Sequence, residues 1–113
     1  MLHYLKLNDK PFEAIKSGYK KIEIRLFDEK RQKIKVGDNI EFSKRDNSEE
    51  KILVAVKALH IFNSFQQLYQ AFDKSDLGYR KEETADYRDM QEYYSLEQQH
   101  RYGVVGIEIE LLE

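Results

Sequence analysis

The sequence predicts an α+β fold, a small mixed β-barrel with two to three short flanking helices. Short segments in which apolar and polar residues alternate recur along the chain, as they do in strands, and the segments with helical spacing between them are short. Parallel sheets need long helical crossovers between consecutive strands, and this chain lacks them. A mixed or antiparallel barrel therefore fits the sequence better than a parallel sheet.

The length and composition predict one soluble domain over residues 1–113. Hydrophobic residues make up 41% of the chain, and every apolar run is far shorter than the roughly 20 residues needed to cross a bilayer. No secretory signal is visible, and the absence of cysteine excludes disulfides and thiolate metal sites. We therefore expect a cytoplasmic protein.

The charge balance limits the ways in which the protein can bind nucleic acid. The formal net charge is −2 and the pI is near 6.0, whereas domains that coat nucleic acid through bulk electrostatics are usually basic. Any nucleic-acid contact is therefore expected to be local.

The elements of the first half follow from alternation and from capping residues. Leu2–Leu7 suits a first strand, after which Asn8 or Asp9 is expected to cap a short helix over residues 11–17 that Gly18 ends. After a second strand, residues 28–35 are predicted to form a charged loop anchored by Ile34.

The second half predicts a hairpin, two helices and a closing strand. A turn at residues 36–38 leads into a strand at Asn39–Lys44 and a return strand at residues 52–61, whose inward face is either Leu53 and Ala55 or Val54 and Val56. The remaining elements are a helix capped by Ser64, a polar loop over residues 73–87, a helix over residues 89–100 and a strand over residues 102–111.

The stretch at residues 17–27 is the most informative part of the chain. In a strand, Ile22, Ile24 and Leu26 share one face while Lys21, Glu23 and Arg25 share the other, so one face forms a core and the other a row of charge. Lys20 is expected at the turn after Gly18, within reach of Glu23. This pattern predicts a cationic ledge for an anionic ligand, or alternatively a solvated edge strand.

Cations and tyrosines together predict a nucleic-acid site. Arg25 can bind a phosphate bidentately while lysines act as point charges, and tyrosines beside such a surface stack single-stranded bases. The alternative for the tyrosines is partial burial on an amphipathic helix. The candidate binding residues are Lys16, Lys20, Lys21, Glu23, Arg25, Lys44, Tyr94, Ser95 and Tyr102, with Arg45 arriving beside Lys44 if their strand pairs with the central one.

Lys20 and Glu23 are also candidate catalytic residues. An amine becomes a nucleophile or base when its surroundings favour the neutral form. Lys21 and Arg25 are expected to lower the pKa of Lys20, whereas Glu23 is expected to raise it. An ordinary ion pair is the alternative. The three histidines show no metal-ligand spacing, so no metal or other cofactor is expected.

Three segments of the chain resemble the ASCH domain, the activating-signal-cointegrator homology family related to PUA domains. They are P-F-x-x-I-K-x-G-x-K-x-x-E-x-R at residues 11–25, K-x-G-D at residues 35–38 and Y-G-V-V-G-I at residues 102–107. The resemblance implies a PUA-like β-barrel with flanking helices, a cleft lined by the G-x-K-x-x-E-x-R element, and a role in RNA binding.

One branch of that family resembles a small amidohydrolase that removes acetate from N4-acetylcytidine with a lysine, a threonine and a glutamate. The lysine falls on Lys20, but the threonine falls on Glu23, which is a departure from the pattern. The glutamate falls after the second helix, where the chain offers Asp73 or Asp76. The hypotheses are thus an RNA- or nucleotide-binding module, hydrolysis of an acylated nucleoside, or a protein-interaction module.

Overall fold

The computed structural model describes residues 1–112 and contains one five-stranded, curled sheet. Its elements are β1 (Leu2–Leu7), α1 (Asp9–Lys16), β2 (Ile22–Leu26), α2 (Glu29–Gln32), β3 (Asn39–Lys44), β4 (Lys51–Phe62), α3 (Phe65–Ala71), a 3₁₀ helix (Tyr87–Glu92), α4 (Leu96–Tyr102) and β5 (Val104–Leu111).

The strand order β1-β3-β4-β5-β2 makes the sheet mixed. The β1 and β3 strands are parallel, and the three other pairs are antiparallel. The predicted α+β class is confirmed, with a half-barrel sheet and several short helices. No helix within residues 1–112 has the length and apolar character that a membrane crossing requires.

The two edge strands, β1 and β2, meet along a seam that a side chain bridges. Arg25 of β2 donates a hydrogen bond from Nη2 to the backbone carbonyl of Lys6 in β1, at 2.8 Å. The seam is therefore held by a guanidinium group rather than by a ladder of backbone hydrogen bonds. A side-chain link leaves room beside it, whereas a closed ladder would not.

Strand β2 is buried on both faces, which corrects the expectation of one core face and one charged ledge. Ile22, Ile24 and Leu26 pack under α3 against a core that includes Phe65 and Leu68. The opposite face turns toward the inside of the curled sheet, because Glu23 and Arg25 pair directly with Ile107 and Val105, which belong to the inner core. The charged groups are thus internal.

Strand β4 resolves the register that the sequence left open. Ile52, Val54 and Val56 are buried, so the inward face contains Val54 and Val56. A β-bulge between Val56 and Ala58 then shifts the pairing with β5. Such a bulge bends the strand and increases its twist, which helps the sheet to curl.

Three helix predictions need correction. Asn8 occupies the N-cap of α1 without a side-chain capping hydrogen bond, and the predicted loop at residues 28–35 contains the one-turn helix α2, capped by Asp28. The helix predicted over residues 89–100 is instead a 3₁₀ helix followed by α4. The break has a local cause, because Ser95 and Gln98 form a capping box that begins a new helix.

Replacing Ser95 tests this capping role. We expect Ser95→Ala to lower the free energy of unfolding by about 1 kcal/mol, because the backbone amide of Gln98 loses its acceptor. Ser95→Asp should restore most of the loss, and Ser48→Ala in the exposed β3–β4 turn should have little effect. Urea denaturation measures all three variants, and a Ser95→Ala protein as stable as wild type would contradict the assignment.

Candidate functional site

A buried ion triad, formed by Lys20, Glu23 and Arg25, lies at the seam. Lys20 Nζ is 3.0 Å from Glu23 Oε1, and Arg25 Nε donates to Glu23 Oε2 at 2.6 Å. The residues are only 8%, 3% and 7% exposed, respectively. One carboxylate thus binds two cations out of bulk water, and Arg25 carries the connection on to β1.

The two cations determine the ionisation of Glu23. Burial alone would raise the pKa of Glu23, but Lys20 and Arg25 together lower it to about 2. Burial likewise works to lower the pKa of Arg25, and this effect is exceeded by the Glu23 carboxylate and the Tyr94 hydroxyl, so the pKa of Arg25 is raised. Glu23 is therefore ionised and Arg25 is protonated, so both members of this buried pair are charged.

The loop after α3 holds Lys20 in place. The backbone carbonyl of Asp76 accepts hydrogen bonds from the amides of Lys21 and Ile22, both at 2.9 Å. Gly78 lies against the Lys20 side chain with φ of +98°, and a Cβ at this position would come within 2.8 Å of Lys20 Cδ. Glycine is required here both for the backbone conformation and for the close approach.

The ion triad forms part of the lining of a cleft of about 250 Å³. Five cations and two carboxylates line it, so the cleft is locally positive although the chain as a whole is negative. Lys10, Lys20 and Arg25 are each paired with a carboxylate. The other two cations, Lys6 and Arg45, form no ion pair within residues 1–112 and are exposed.

Tyrosines form another wall of the cleft. The hydroxyls of Tyr69 and Tyr79 are 2.9 Å apart, and Tyr79 also donates to Asp89 Oδ2 at 2.7 Å. Burial raises the pKa of Tyr69 to about 12 and raises that of Tyr79 as well, so both remain neutral hydrogen-bonding groups. Tyr94 stacks on Phe65, whereas Tyr93 is 56% exposed at the rim.

The structure brings together four of the predicted binding residues, namely Lys20, Glu23, Arg25 and Tyr94. The other five lie outside the cleft: Lys16 pairs with Glu50, Lys21 lines a separate cavity, Lys44 binds Glu13 and Glu50, Ser95 caps α4, and Tyr102 donates to Glu29. The location of Lys44 follows from topology, because β3 pairs with β1 and β4 rather than with β2.

Sequence reasoning missed several cleft residues because they come from segments distant in the chain. They are Lys6, Lys10, Tyr69, Tyr79 and Asp89. Alternation in β1 does place Lys6 on the opposite face from Leu5 and Leu7, but only the curled sheet shows that the edge at Lys6 lies beside Arg25 of β2. Within residues 1–112, no group of three or more His, Asp or Glu side chains is placed to hold a metal ion.

A curled half-barrel sheet with several short helices around an open seam defines a small α+β domain. The ASCH domain model matches residues 5–113, and the chain belongs to the ASCH domain family. Family membership supports an RNA-binding or related module in general terms. No curated protein matches the chain in sequence.

Solved structures agree with this assignment. The hypothetical protein PH0355 is 32% identical, with a TM-score of 0.83 over 99% of this chain and 100% of that one. The protein PF0455 from Pyrococcus furiosus is 35% identical, with a TM-score of 0.70 over 100% of this chain and 99% of that one. The S128A mutant of ZmASCH from Zymomonas mobilis shares the fold at 16% identity and a TM-score of 0.64, over 96% of this chain and 67% of that one.

Neutralising Glu23 tests the energetic role of the ion triad. We expect Glu23→Gln to lower the free energy of unfolding at pH 7 by about 3 to 5 kcal/mol, because two buried cations lose their shared counter-charge. Glu110→Gln is the matched control, since its pair with Lys57 is exposed and should contribute less than about 1 kcal/mol.

Acid should remove the difference between wild type and Glu23→Gln. The folded-state pKa of Glu23 is about 2, below its ordinary value of 4.5, so its contribution of about 3 kcal/mol is present above pH 4.5 and disappears as the pH falls through 2. Urea denaturation at several pH values between 7 and 2 measures this convergence. A constant difference over the whole range would contradict the assigned ion triad.

Proposed function

We propose that the protein binds single-stranded RNA and accommodates one unpaired nucleotide in the cleft at the seam. The supporting observation is the convergence of five cations and four tyrosines on one cleft in a chain whose net charge is −2. The cleft volume of about 250 Å³ lies just below the roughly 300 to 1,000 Å³ typical of drug-sized ligand sites, so it suits one nucleotide rather than a duplex.

The exposed cations suit the phosphate groups of the ligand. Lys6 and Arg45 form no ion pair within residues 1–112, so binding a phosphate displaces no protein carboxylate from them. Arg45 presents a planar fork of donors that matches phosphate oxygens, and Lys6 adds a mobile point charge. These two side chains are therefore the proposed phosphate contacts.

The tyrosines and the ion triad suit the base. Tyr93 is exposed at the rim, where it offers a ring face for stacking, and Tyr94 lies deeper beside Arg25. Glu23 uses one acceptor site on each oxygen for Lys20 and Arg25, and a carboxylate has about four such sites. Its remaining capacity suits the exocyclic amine of a base.

The same geometry favours binding over hydrolysis of an acylated nucleoside. A nucleophile or general base requires a free amine, whereas Lys20 is bound to Glu23, the residue at the position of the family threonine. The later-chain carboxylate in the cleft is Asp89, and it accepts a hydrogen bond from Tyr79. Asp76 contacts β2 through its backbone carbonyl, and neither Asp73 nor Asp76 lines the cleft.

RNA binding can be measured by fluorescence anisotropy on a labelled single-stranded oligonucleotide over a series of KCl concentrations. We expect binding that weakens with salt, and we expect Arg45→Gln to reduce the slope of log K against log salt by about 0.7, because one phosphate contact is lost. Tyr93→Ala should weaken binding by about 1 to 3 kcal/mol at constant salt, because one stacking contact is lost.

Lys16→Gln provides the matched control. Lys16 is an exposed cation outside the cleft, so its removal changes the net charge as Arg45→Gln does but should leave the slope unchanged. Equal effects of the two variants would indicate non-specific attraction and would contradict a localised site. Absent or salt-independent binding by the wild-type protein would contradict the proposal itself.

The hydrolase alternative predicts a different result. We expect no release of cytidine from N4-acetylcytidine at high protein concentration, because Lys20 is engaged in the ion triad. Liquid chromatography of the reaction mixture measures the product, with Lys20→Ala as the control. Cytidine release that Lys20→Ala abolishes would establish hydrolysis instead.

A further inference from the structure

We propose that a second cleft, on the far side of Arg25 from the first, binds the neighbouring nucleotide of the same RNA strand. This inference rests on the proposed function and extends it, because it assigns a binding track of at least two consecutive nucleotides.

The second cleft is similar in size to the first and more positive. Its volume is about 280 Å³, and five cations but only one carboxylate line it. The cations are Lys6, Arg25, Lys30, Arg31 and Arg45, and the carboxylate is Glu41. The imbalance of charge is that expected of a surface for the phosphate backbone of a nucleic acid.

Three side chains are shared by the two clefts. Lys6, Arg25 and Arg45 line both of them, and the hydrogen bond from Arg25 to the Lys6 carbonyl forms the partition between them. Lys6 and Arg45 are therefore placed to bind the phosphate that links one nucleotide to the next. A strand that crosses the seam at this point has one base on each side of Arg25.

Tyr4 supplies the aromatic surface that the second base needs. It lies on β1 between the inward-facing His3 and Leu5, so its side chain is directed away from the inner core. Tyr4 is 62% exposed, so its ring is open to solvent where it lines the second cleft. Next to a basic cleft, an exposed tyrosine ring is the kind of surface on which single-stranded bases stack.

Arginine from α2 completes the second cleft. Arg31 donates from Nη1 to Asp28 Oδ2 at 2.8 Å, which fixes the position of its guanidinium group. Its Nε atom has no hydrogen-bond partner within residues 1–112. Arg31 therefore contributes a guanidinium group in a fixed position to the lining of the second cleft.

The dependence of affinity on ligand length tests this inference. Isothermal titration calorimetry compares adenosine 5′-monophosphate with the 5′-phosphorylated dinucleotide pApA. We expect pApA to bind at least about fivefold more tightly, which corresponds to one additional stacked base. Tyr4→Ala and Lys30→Gln should reduce this gain without changing the affinity for the mononucleotide, since both residues are exposed and line only the second cleft.

Tyr93→Ala is the matched variant in the first cleft, and it should weaken both ligands. Equal affinities for the two ligands would overturn the second site, and so would a Tyr4→Ala protein that keeps the full gain in affinity for pApA. Mononucleotide binding that depends on Tyr93 would still support the proposed function in either case. Loss of all binding to both ligands in the wild-type protein would overturn both proposals.

Discussion

The ion triad at the seam is the interaction on which the rest of the site depends. Taking three charged groups out of water costs several kcal/mol per ion. Replacing a whole buried ion triad with well-packed apolar residues often leaves the stability of a protein unchanged or increases it. Stability alone therefore does not account for it. What the triad does provide is polar chemistry at a fixed position, because Glu23 binds both cations and Arg25 reaches the backbone of β1. An apolar seam would close the sheet but would leave nothing for a polar ligand to bind.

The open seam also explains why so many irregular segments surround the site. Unpaired sheet edges expose backbone donors and acceptors and are normally covered by other elements. Here the Asp76 carbonyl satisfies two amides at the start of β2, and the segment from Gly78 to Tyr94 forms a wall of tyrosines beside the ion triad. The hydrogen bonds that join Tyr69, Tyr79 and Asp89 fix that wall. The segment that covers the exposed edge of β2 is thus also the segment that forms a wall of the cleft.

Local signals predicted the elements of the fold well and the site only in part. Alternation identified β1 and β3, and the Ser64 cap identified α3, because these patterns depend on neighbours in sequence. The G-x-K-x-x-E-x-R element likewise predicted that Lys20 lies beside Glu23. Strand pairing is non-local, however, and the parallel pairing of β1 with β3 determines that Lys6 rather than Lys44 borders the seam. Helical periodicity across residues 89–100 was misleading because a capping box interrupts it.

The distribution of charge explains how an acidic protein can present a site for anions. Outside the clefts, carboxylates neutralise many of the lysines, as Glu50 does for Lys16 and Lys44 and as Glu110 does for Lys57. At the seam, five cations and only two carboxylates line the first cleft, so this part of the surface is locally positive although the chain as a whole is negative. Under the proposed function, a single strand places its phosphates on Lys6 and Arg45 and its bases in the clefts, so that a local site for anions operates in a chain of net negative charge.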